Sequence, residues 1–210
     1  MHANKFLFEI PLLYRKYDII KNSNVRRVSR MEEKTISQKT VYQGKIFDVA
    51  SHHVTLPNGK TAYRDVIIHQ GAVAVVAIID NQLLLVRQYR KAIEQETLEI
   101  PAGKLDKSGE NPMDAALREL HEETGYTATL KEICKMHMSP GYLTEAITIF
   151  EASNIQKIGT QSLDEDEFVD VYLMTRQQVQ EAIEHRLICD AKTLYAVQYW
   201  DLLMGGNINE

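Results

Sequence analysis

The sequence of 210 residues predicts an α+β fold, in which helices flank a mainly β core. Two observations support this prediction. Apolar residues alternate with a period of two from residue 40 to residue 88, and they recur with a helical period in three later segments. The composition, with 44% hydrophobic and 25% charged residues, is that of a globular protein and excludes collagen-like and wholly disordered chains.

The strands are expected where β-branched and aromatic residues cluster. They are predicted over residues 41–49, 54–56, 62–68, 72–79, 82–88, 129–135, 146–152 and 168–174. Pro57-Asn58-Gly59 predicts a hairpin turn, because glycine adopts a positive φ at no steric cost. The strand over residues 72–79 is apolar on both faces, which is typical of a sheet covered on two sides.

Three helices are expected. The first covers residues 111–125, with Asn111 as N-cap, Pro112 at the first helical position and Gly125 as a left-handed C-cap. Two more helices near the C-terminus are expected to begin after Thr175, which resembles the start of a capping box, and after Asp190. Residues 1–38 are predicted to be an N-terminal extension outside the core, for which disorder is one expectation.

Composition also restricts the partners and the compartment. Twenty-four Lys and Arg residues against 29 Asp and Glu residues give a net charge of −5, which disfavours nucleic acid as a partner. No apolar run reaches the roughly 18 residues that span a bilayer, so no membrane association is expected. Cys134 and Cys189 lie far apart without metal-ligand spacing, and this indicates a reducing, cytoplasmic location.

The first helix carries an unusual acidic face. Glu119, Glu122 and Glu123 fall within about 100° of arc, opposite an apolar stripe. Crowded carboxylates repel one another, and a hard divalent cation such as Mg²⁺ or Mn²⁺ removes that repulsion. Most acidic helix faces are simply solvated, and on the helix alone that interpretation is favoured.

The residues around this face resemble the Nudix hydrolase family. Gly103 is followed by Glu110, then by seven residues, and then by the run RELHEETG over residues 118–125. Six residues separate Gly103 from Glu110 where the family has five, so the loop carries an insertion near Ser108. The resemblance implies an α/β/α sandwich with a mixed β-sheet over residues 71–210, plus an N-terminal antiparallel β-subdomain over residues 39–70.

Further segments are similar to the ADP-ribose pyrophosphatase subgroup: RQYRK at 87–91, LEIPAG at 98–103, SPGY at 139–142 and DEDE at 164–167. The resemblance implies that Glu119 and Glu123 bind metal, that Glu122 shares this role in metal binding and catalysis, and that the Ala102 carbonyl completes the site. It also implies that the N-terminal subdomain is swapped to build a homodimer.

The remaining site residues are expected to bind substrate or to activate water. The resemblance implies that Arg64 and Arg90 contact phosphate or the terminal ribose, and it draws Glu99 into the same site. Arg87 lies near a strand end and suits bidentate phosphate contacts, although such residues are more often surface charge. Tyr142 is a candidate to stack on adenine, with ordinary packing as the alternative.

A general base is expected in the acidic segment, with Glu165 as first choice and Glu167 as second. A solvated acidic loop is the alternative interpretation of this segment. The resulting hypothesis is Mg²⁺-dependent hydrolysis of ADP-ribose to AMP and ribose 5-phosphate, with Mn²⁺ as a substitute metal. The alternatives are another nucleoside diphosphate sugar or a dinucleotide as substrate, or a non-catalytic module that senses ADP-ribose.

Overall fold

The protein is described by a computed structural model over residues 31–105 and 109–205. The expectations about residues 1–30 and about the insertion near Ser108 lie outside the described residues. The first part is an antiparallel sheet formed in the order β1-β2-β3. Its strands are β1 (Lys34–Gln43), β2 (Asp48–Thr55) and β3 (Thr61–Ile68). Gly59 has φ 82° in the turn between β2 and β3, as the sequence predicts.

The second sheet is mixed and has seven strands among the described residues. Its central strands β4 and β9 are parallel, whereas its other pairs are antiparallel, and the order is β10-β5-β4-β9-β8 with β6 beside β5 and β7 beside β4. The strands are β4 (Ala72–Ile79), β5 (Gln82–Arg90), β6 (Gln95–Glu99), β7 (Ala102–Lys104), β8 (Tyr126–His137), β9 (Ala146–Lys157) and β10 (Asp170–Met174).

Helices cover both faces of this sheet and make it an α/β/α sandwich. They are α1 (Pro112–Thr124), α2 (Arg176–Glu184) and α3 (Ala191–Gly205). Alternate residues of β4 serve two separate cores. Val73 and Val75 pack with Leu120 of α1, whereas Ala74 and Val76 pack with Trp200 of α3. The apolar run over residues 72–79 therefore reflects burial on both faces, as expected.

The N-terminal region differs from the expectation in two places. A single strand over residues 41–49 is wrong, because the chain turns after Gln43, where Gly44 donates its N–H to the Phe47 carbonyl at 3.1 Å. The first strand begins at Lys34, within the segment expected to be an extension, and every residue of β1 is exposed. The pairing of β1 with β2 could not be predicted, because β1 buries no residue in this chain and so shows no pattern of buried and exposed positions.

The two sheets are joined by main-chain hydrogen bonds. Ile67 of β3 donates to the Tyr142 carbonyl at 2.7 Å, and Thr144 donates to the Ile67 carbonyl at 3.0 Å. The N-terminal sheet is thus attached to the loop between β8 and β9. No helix within the described ranges has the length and apolar character needed to cross a membrane.

Candidate functional site

Helix α1 holds its carboxylates in place through well-formed caps. The Asn111 side chain accepts the Met113 N–H at 2.9 Å, and Gly125, with φ 73°, donates to the His121 carbonyl at 2.7 Å. Both caps were predicted, because each depends on local sequence. Ala116 and Leu120 are fully buried against the sheet, and Glu119, Glu122 and Glu123 lie outside this apolar stripe.

The short strand β7 lies directly against this acidic face. A Cβ atom at Gly103 would overlap the Glu119 carboxylate, so only glycine permits the approach. At the preceding residue, the Ala102 N–H donates to Glu123 Oε2 at 3.0 Å. The structure therefore brings together three of the four residues expected to bind metal: Ala102, Glu119 and Glu123.

Arg118 gathers the acidic groups around one guanidinium. Its Nη1 donates to Glu119 at 2.8 Å and to Glu122 at 2.9 Å, and its Nε lies 3.4 Å from Glu110 Oε1. The other oxygen of Glu110, Oε2, is buried and has no hydrogen-bond partner among the described residues. An unpaired buried carboxylate oxygen at this position has room in its coordination for a cation.

Glu123 is the most deeply buried carboxylate of the site, at 7% exposure. Burial raises its pKa to about 8; the Ala102 N–H opposes this rise, and the charges of Glu119 and Glu167 add to it. A positive charge beside Glu123 would offset the desolvation cost of its ionised form. The chemistry of this donor set therefore fits a hard, oxygen-preferring cation.

The side chains are not converged as they would be around an ion. Within residues 31–105 and 109–205, no three acidic, histidine or cysteine side chains meet at a single point in metal-ligand geometry. The reason lies in the contacts above: Glu119 and Glu122 turn towards Arg118, while Glu123 turns towards Ala102. Rotation of Glu119 and Glu122 away from Arg118 is required to complete a cation site.

The acidic loop over residues 164–167 is tied to the end of α1. The Gln161 side chain donates to the Glu123 carbonyl at 2.7 Å and to the Val169 carbonyl at 2.9 Å, and Ser162 donates to the Glu122 carbonyl at 2.9 Å. Sequence reasoning missed Gln161, because a single glutamine carries no recognisable signal. Its two hydrogen bonds join the residues on either side of the acidic loop to the end of α1.

The two candidate bases differ in their relation to the site. The charge of Glu167 contributes to the raised pKa of Glu123, after burial and the charge of Glu119. Glu167 Oε2 also accepts the Asp164 N–H at 3.4 Å. Both Glu165 and Glu167 are exposed in this loop. Of the two, Glu167 is the residue that the structure relates to the acidic face of α1.

Arg90 and Glu99, both expected at the substrate, form a bidentate ion pair. Their contacts are Nε to Oε1 at 2.7 Å and Nη2 to Oε2 at 2.6 Å. Glu99 is 3% exposed and also contacts buried Lys192. Burial acts to raise the pKa of Glu99, but hydrogen bonds and charge from Arg90 and Lys192 outweigh it and lower the pKa to about 2. Sequence reasoning missed Lys192, because its partner lies 93 residues away.

The other expected substrate residues lie at the periphery. Arg87 pairs with Asp170 at 2.8 Å and lies over the Tyr172 ring. Arg64 lies on the N-terminal sheet and forms a bidentate pair with Glu33, with Nε 3.0 Å from Oε2 and Nη2 2.7 Å from Oε1. Tyr142 is exposed in the loop that contacts β3. Within the described chain, the hydrogen bonds and ion pairs of these three side chains do not include an α1 carboxylate.

Two family models match the chain. The NUDIX domain matches residues 68–193, which include β4 to β10, α1 and α2. The chain belongs to the Nudix hydrolase family. The nucleoside diphosphate sugar hydrolase N-terminal domain matches residues 33–67, so the two sheets of this Nudix hydrolase correspond to the two matches.

Individual relatives extend over most of this Nudix hydrolase. ADP-ribose pyrophosphatase from Bacillus subtilis (strain 168) is 45% identical over 175 residues, which are 82% of this chain and 94% of that protein. The methanol dehydrogenase activator of Bacillus methanolicus is 44% identical over 174 residues, 81% of this chain and 94% of the other. A crystal structure of ADP compounds hydrolase matches with a TM-score of 0.70 and 25% identity, covering 83% of this chain and 96% of its own.

Proposed function

We propose that this Nudix hydrolase cleaves the pyrophosphate bond of ADP-ribose, giving AMP and ribose 5-phosphate, with Mg²⁺ as its metal and Mn²⁺ as a substitute. The observation that carries the proposal is the contact between β7 and α1, where Gly103 and Ala102 hold Glu119 and Glu123 side by side. Similarity to ADP-ribose pyrophosphatase over most of the chain supports the choice of substrate.

The metal would be held by Glu119, Glu122, Glu123 and the Ala102 carbonyl. Divalent cations bound there would neutralise charge on the diphosphate oxygens and lower the pKa of a water molecule. The protein supplies the rest. Glu167 is our first choice as the base that orients and deprotonates water, because its charge acts on Glu123, and Glu165 is the second.

Substrate binding is assigned to cationic and aromatic side chains around this face. Arg90 and Arg87 would contact the diphosphate, since guanidinium groups match phosphate oxygens in bidentate geometry. Glu99 holds Arg90 through both of its oxygens. The exposed ring of Tyr142 is available to stack on adenine.

A homodimer is part of the proposal. The whole of β1 is exposed and carries Ile36, Val41 and Tyr42, each more than half exposed. Exposed apolar side chains on a long edge strand favour burial against another chain. We propose that a second copy covers β1 and that Arg64 reaches the partner's substrate. Both cysteines are free thiols, which supports a reducing cytoplasm as the location.

The identity of the substrate has competitors. A relative named methanol dehydrogenase activator is about as similar as the one named ADP-ribose pyrophosphatase, so likeness alone does not choose between their roles. Another nucleoside diphosphate sugar or a dinucleotide such as NADH would use the same diphosphate chemistry. A module that binds ADP-ribose without cleaving it is the remaining alternative, and the complete set of carboxylates on α1 speaks against it.

Turnover of a diphosphate panel tests the proposal. Purified protein is incubated with Mg²⁺ and ADP-ribose, other nucleoside diphosphate sugars or NADH, and the products are separated by chromatography. We expect ADP-ribose to give the highest kcat/KM, and we expect Glu123→Gln to lower it at least about 100-fold, since a metal contributes several kcal/mol to such reactions. Glu132→Gln, which removes an exposed carboxylate from β8, is the matched control.

The result also separates the alternatives. Negligible turnover of ADP-ribose beside rapid turnover of another diphosphate would transfer the function to that substrate. ADP-ribose binding without hydrolysis of any panel member would favour the sensing module.

A further inference from the structure

Lys192 is a buried charge to which the proposed reaction gives no role. It lies in the first turn of α3 at 6% exposure, and its Nζ contacts Glu99 and, at 2.9 Å, Asp190. Buried ion pairs add little net stability, because desolvation offsets most of the Coulomb attraction, and apolar side chains of similar volume often serve as well. Its presence therefore calls for an explanation other than stability.

The Glu99 carboxylate is held by four donors. Oε1 accepts Arg90 Nε at 2.7 Å and the Thr97 hydroxyl at 2.7 Å, whereas Oε2 accepts Arg90 Nη2 at 2.6 Å and Lys192 Nζ. These donors leave the carboxylate one orientation. Because both of its oxygens bind the guanidinium, the orientation of the carboxylate sets the plane of Arg90.

Arg90 binds this buried carboxylate through one edge of its guanidinium. Its bonds to Glu99 use Nε and Nη2, so that Nη1 has no protein partner in the described chain. The side chain is 42% exposed, and Glu123 acts on it electrostatically. The edge formed by Nε and Nη2 is held by Glu99, whereas Nη1 remains free to bind an anionic ligand.

Asp190, the second partner of Lys192, also contacts the main chain at the start of α3. Asp190 Oδ1 accepts Lys192 Nζ and also caps α3 by accepting the Thr193 N–H at 3.1 Å. The Thr193 hydroxyl accepts the Ile100 N–H at 3.0 Å, two residues before Ala102. The first turn of α3 is thus linked to Arg90 through Glu99, and it also contacts the segment that leads into β7.

We propose that Lys192 is a positioning residue, which through Glu99 holds the Arg90 guanidinium in the orientation that receives a substrate phosphate. This inference rests on the proposed function, in which Arg90 contacts the diphosphate. A merely structural Lys192 would change stability and leave the kinetics of the folded enzyme unaltered. Displacement of a binding group by about 1 Å can cost about 100-fold in rate, so the effect is measurable.

A double-mutant cycle separates these roles. Lys192→Met, Arg90→Ala and the double variant are compared by kcat/KM on the best substrate of the panel, with ADP-ribose expected. We expect Lys192→Met to lower kcat/KM by about 10- to 100-fold in the wild type, and less than about 2-fold when Arg90 is already alanine. Equal losses in both backgrounds would overturn the proposal and leave the proposed function intact.

Other outcomes are equally decisive. An Arg90→Ala enzyme with wild-type kcat/KM would remove Arg90 from the substrate site and the positioning role with it. Absence of turnover for every diphosphate would overturn both the proposed function and this inference. Asp201→Ala is the matched control, because it breaks the bidentate pair between α3 and Arg176 without touching Glu99. We expect it to lower Tm and to leave kcat/KM unchanged.

A second readout needs no activity. In the nitrogen-15 NMR spectrum of the metal-free protein, the Arg90 Nε–H signal is identified by its loss in Arg90→Ala. We expect a sharp signal in the wild type and in Asp201→Ala, and a broadened signal in Lys192→Met. An unchanged signal in Lys192→Met would overturn the proposal. Lys192→Gln, whose amide can still donate to Glu99, takes its place in both measurements if the methionine variant does not fold.

Discussion

Replacing Glu123 by glutamine should stabilise the metal-free protein while it impairs catalysis. Burial raises the pKa of this carboxyl from an ordinary 4.5 to about 8 in the folded state. A group that is harder to ionise when folded than when unfolded destabilises the fold above its unfolded pKa. The stability of the wild type therefore falls as pH rises from about 4.5 to about 8 and then levels off.

The magnitude follows from the same two values. Each pH unit in this window lowers the free energy of unfolding by about 1.4 kcal/mol, so the loss of stability reaches about 3 kcal/mol at pH 7. Glutamine keeps an oxygen that can accept the Ala102 N–H, which Glu123 accepts now, and it carries no charge to desolvate. Its buried amide protons need partners, which reduces the expected gain at pH 7 to about 1–3 kcal/mol.

Denaturant unfolding in a chelator, at pH 5, 6, 7 and 8, measures this effect. We expect the free energies of unfolding of Glu123→Gln and wild type to diverge as pH rises, and Mg²⁺ to narrow the difference by stabilising the wild type selectively. Glu132→Gln, at an exposed position, serves as the control for removal of one negative charge. A difference that stays constant from pH 5 to pH 8 would refute the reasoning about Glu123.

Four further results are expected. Gly103→Ala should lower kcat/KM about 100-fold, because a Cβ atom displaces the Glu119 carboxylate. The same substitution should lower the free energy of unfolding by no more than about 3 kcal/mol. Glu167→Gln should lower kcat about 100-fold with little change in KM, and more than Glu165→Gln does. Val41→Asp should convert a dimer to monomers in light scattering. A chelator should abolish turnover and leave the circular dichroism spectrum unchanged, and unfolding of the protein by the chelator would contradict this expectation. A wild-type kcat for Glu167→Gln would contradict the role of Glu167 as the base.

The sequence predicts those parts of the molecule that depend on neighbouring residues. The first helix and its caps follow from Asn111, Pro112 and Gly125, whose preferences act over a few residues. The turn at Gly59 follows in the same way. The pattern over residues 72–79 indicates burial on both faces, and the structure confirms it.

Features that depend on distant pairing could not be predicted. Strand β1 carries no buried residue, so its alternation has no relation to the core of this chain. The contact between Glu99 and Lys192 joins residues 93 positions apart, and only the folded sheet brings α3 beside β6. The contact of Arg118 with Glu110 likewise depends on where the loop before α1 carries Glu110.

Arg118 reduces the repulsion among the carboxylates on and beside α1. The charges of Glu119 and its hydrogen bonds to Glu122 outweigh partial burial and raise the pKa of Arg118 above its ordinary range, so the guanidinium stays charged. The sequence pattern implies repulsion among the carboxylates, and the attraction of each carboxylate to Arg118 offsets this repulsion. A divalent cation bound as proposed would compete with Arg118 for Glu119 and Glu122, whereas Glu123 accepts the Ala102 N–H. In the proposed site, binding of a cation would therefore exchange the partners of Glu119 and Glu122.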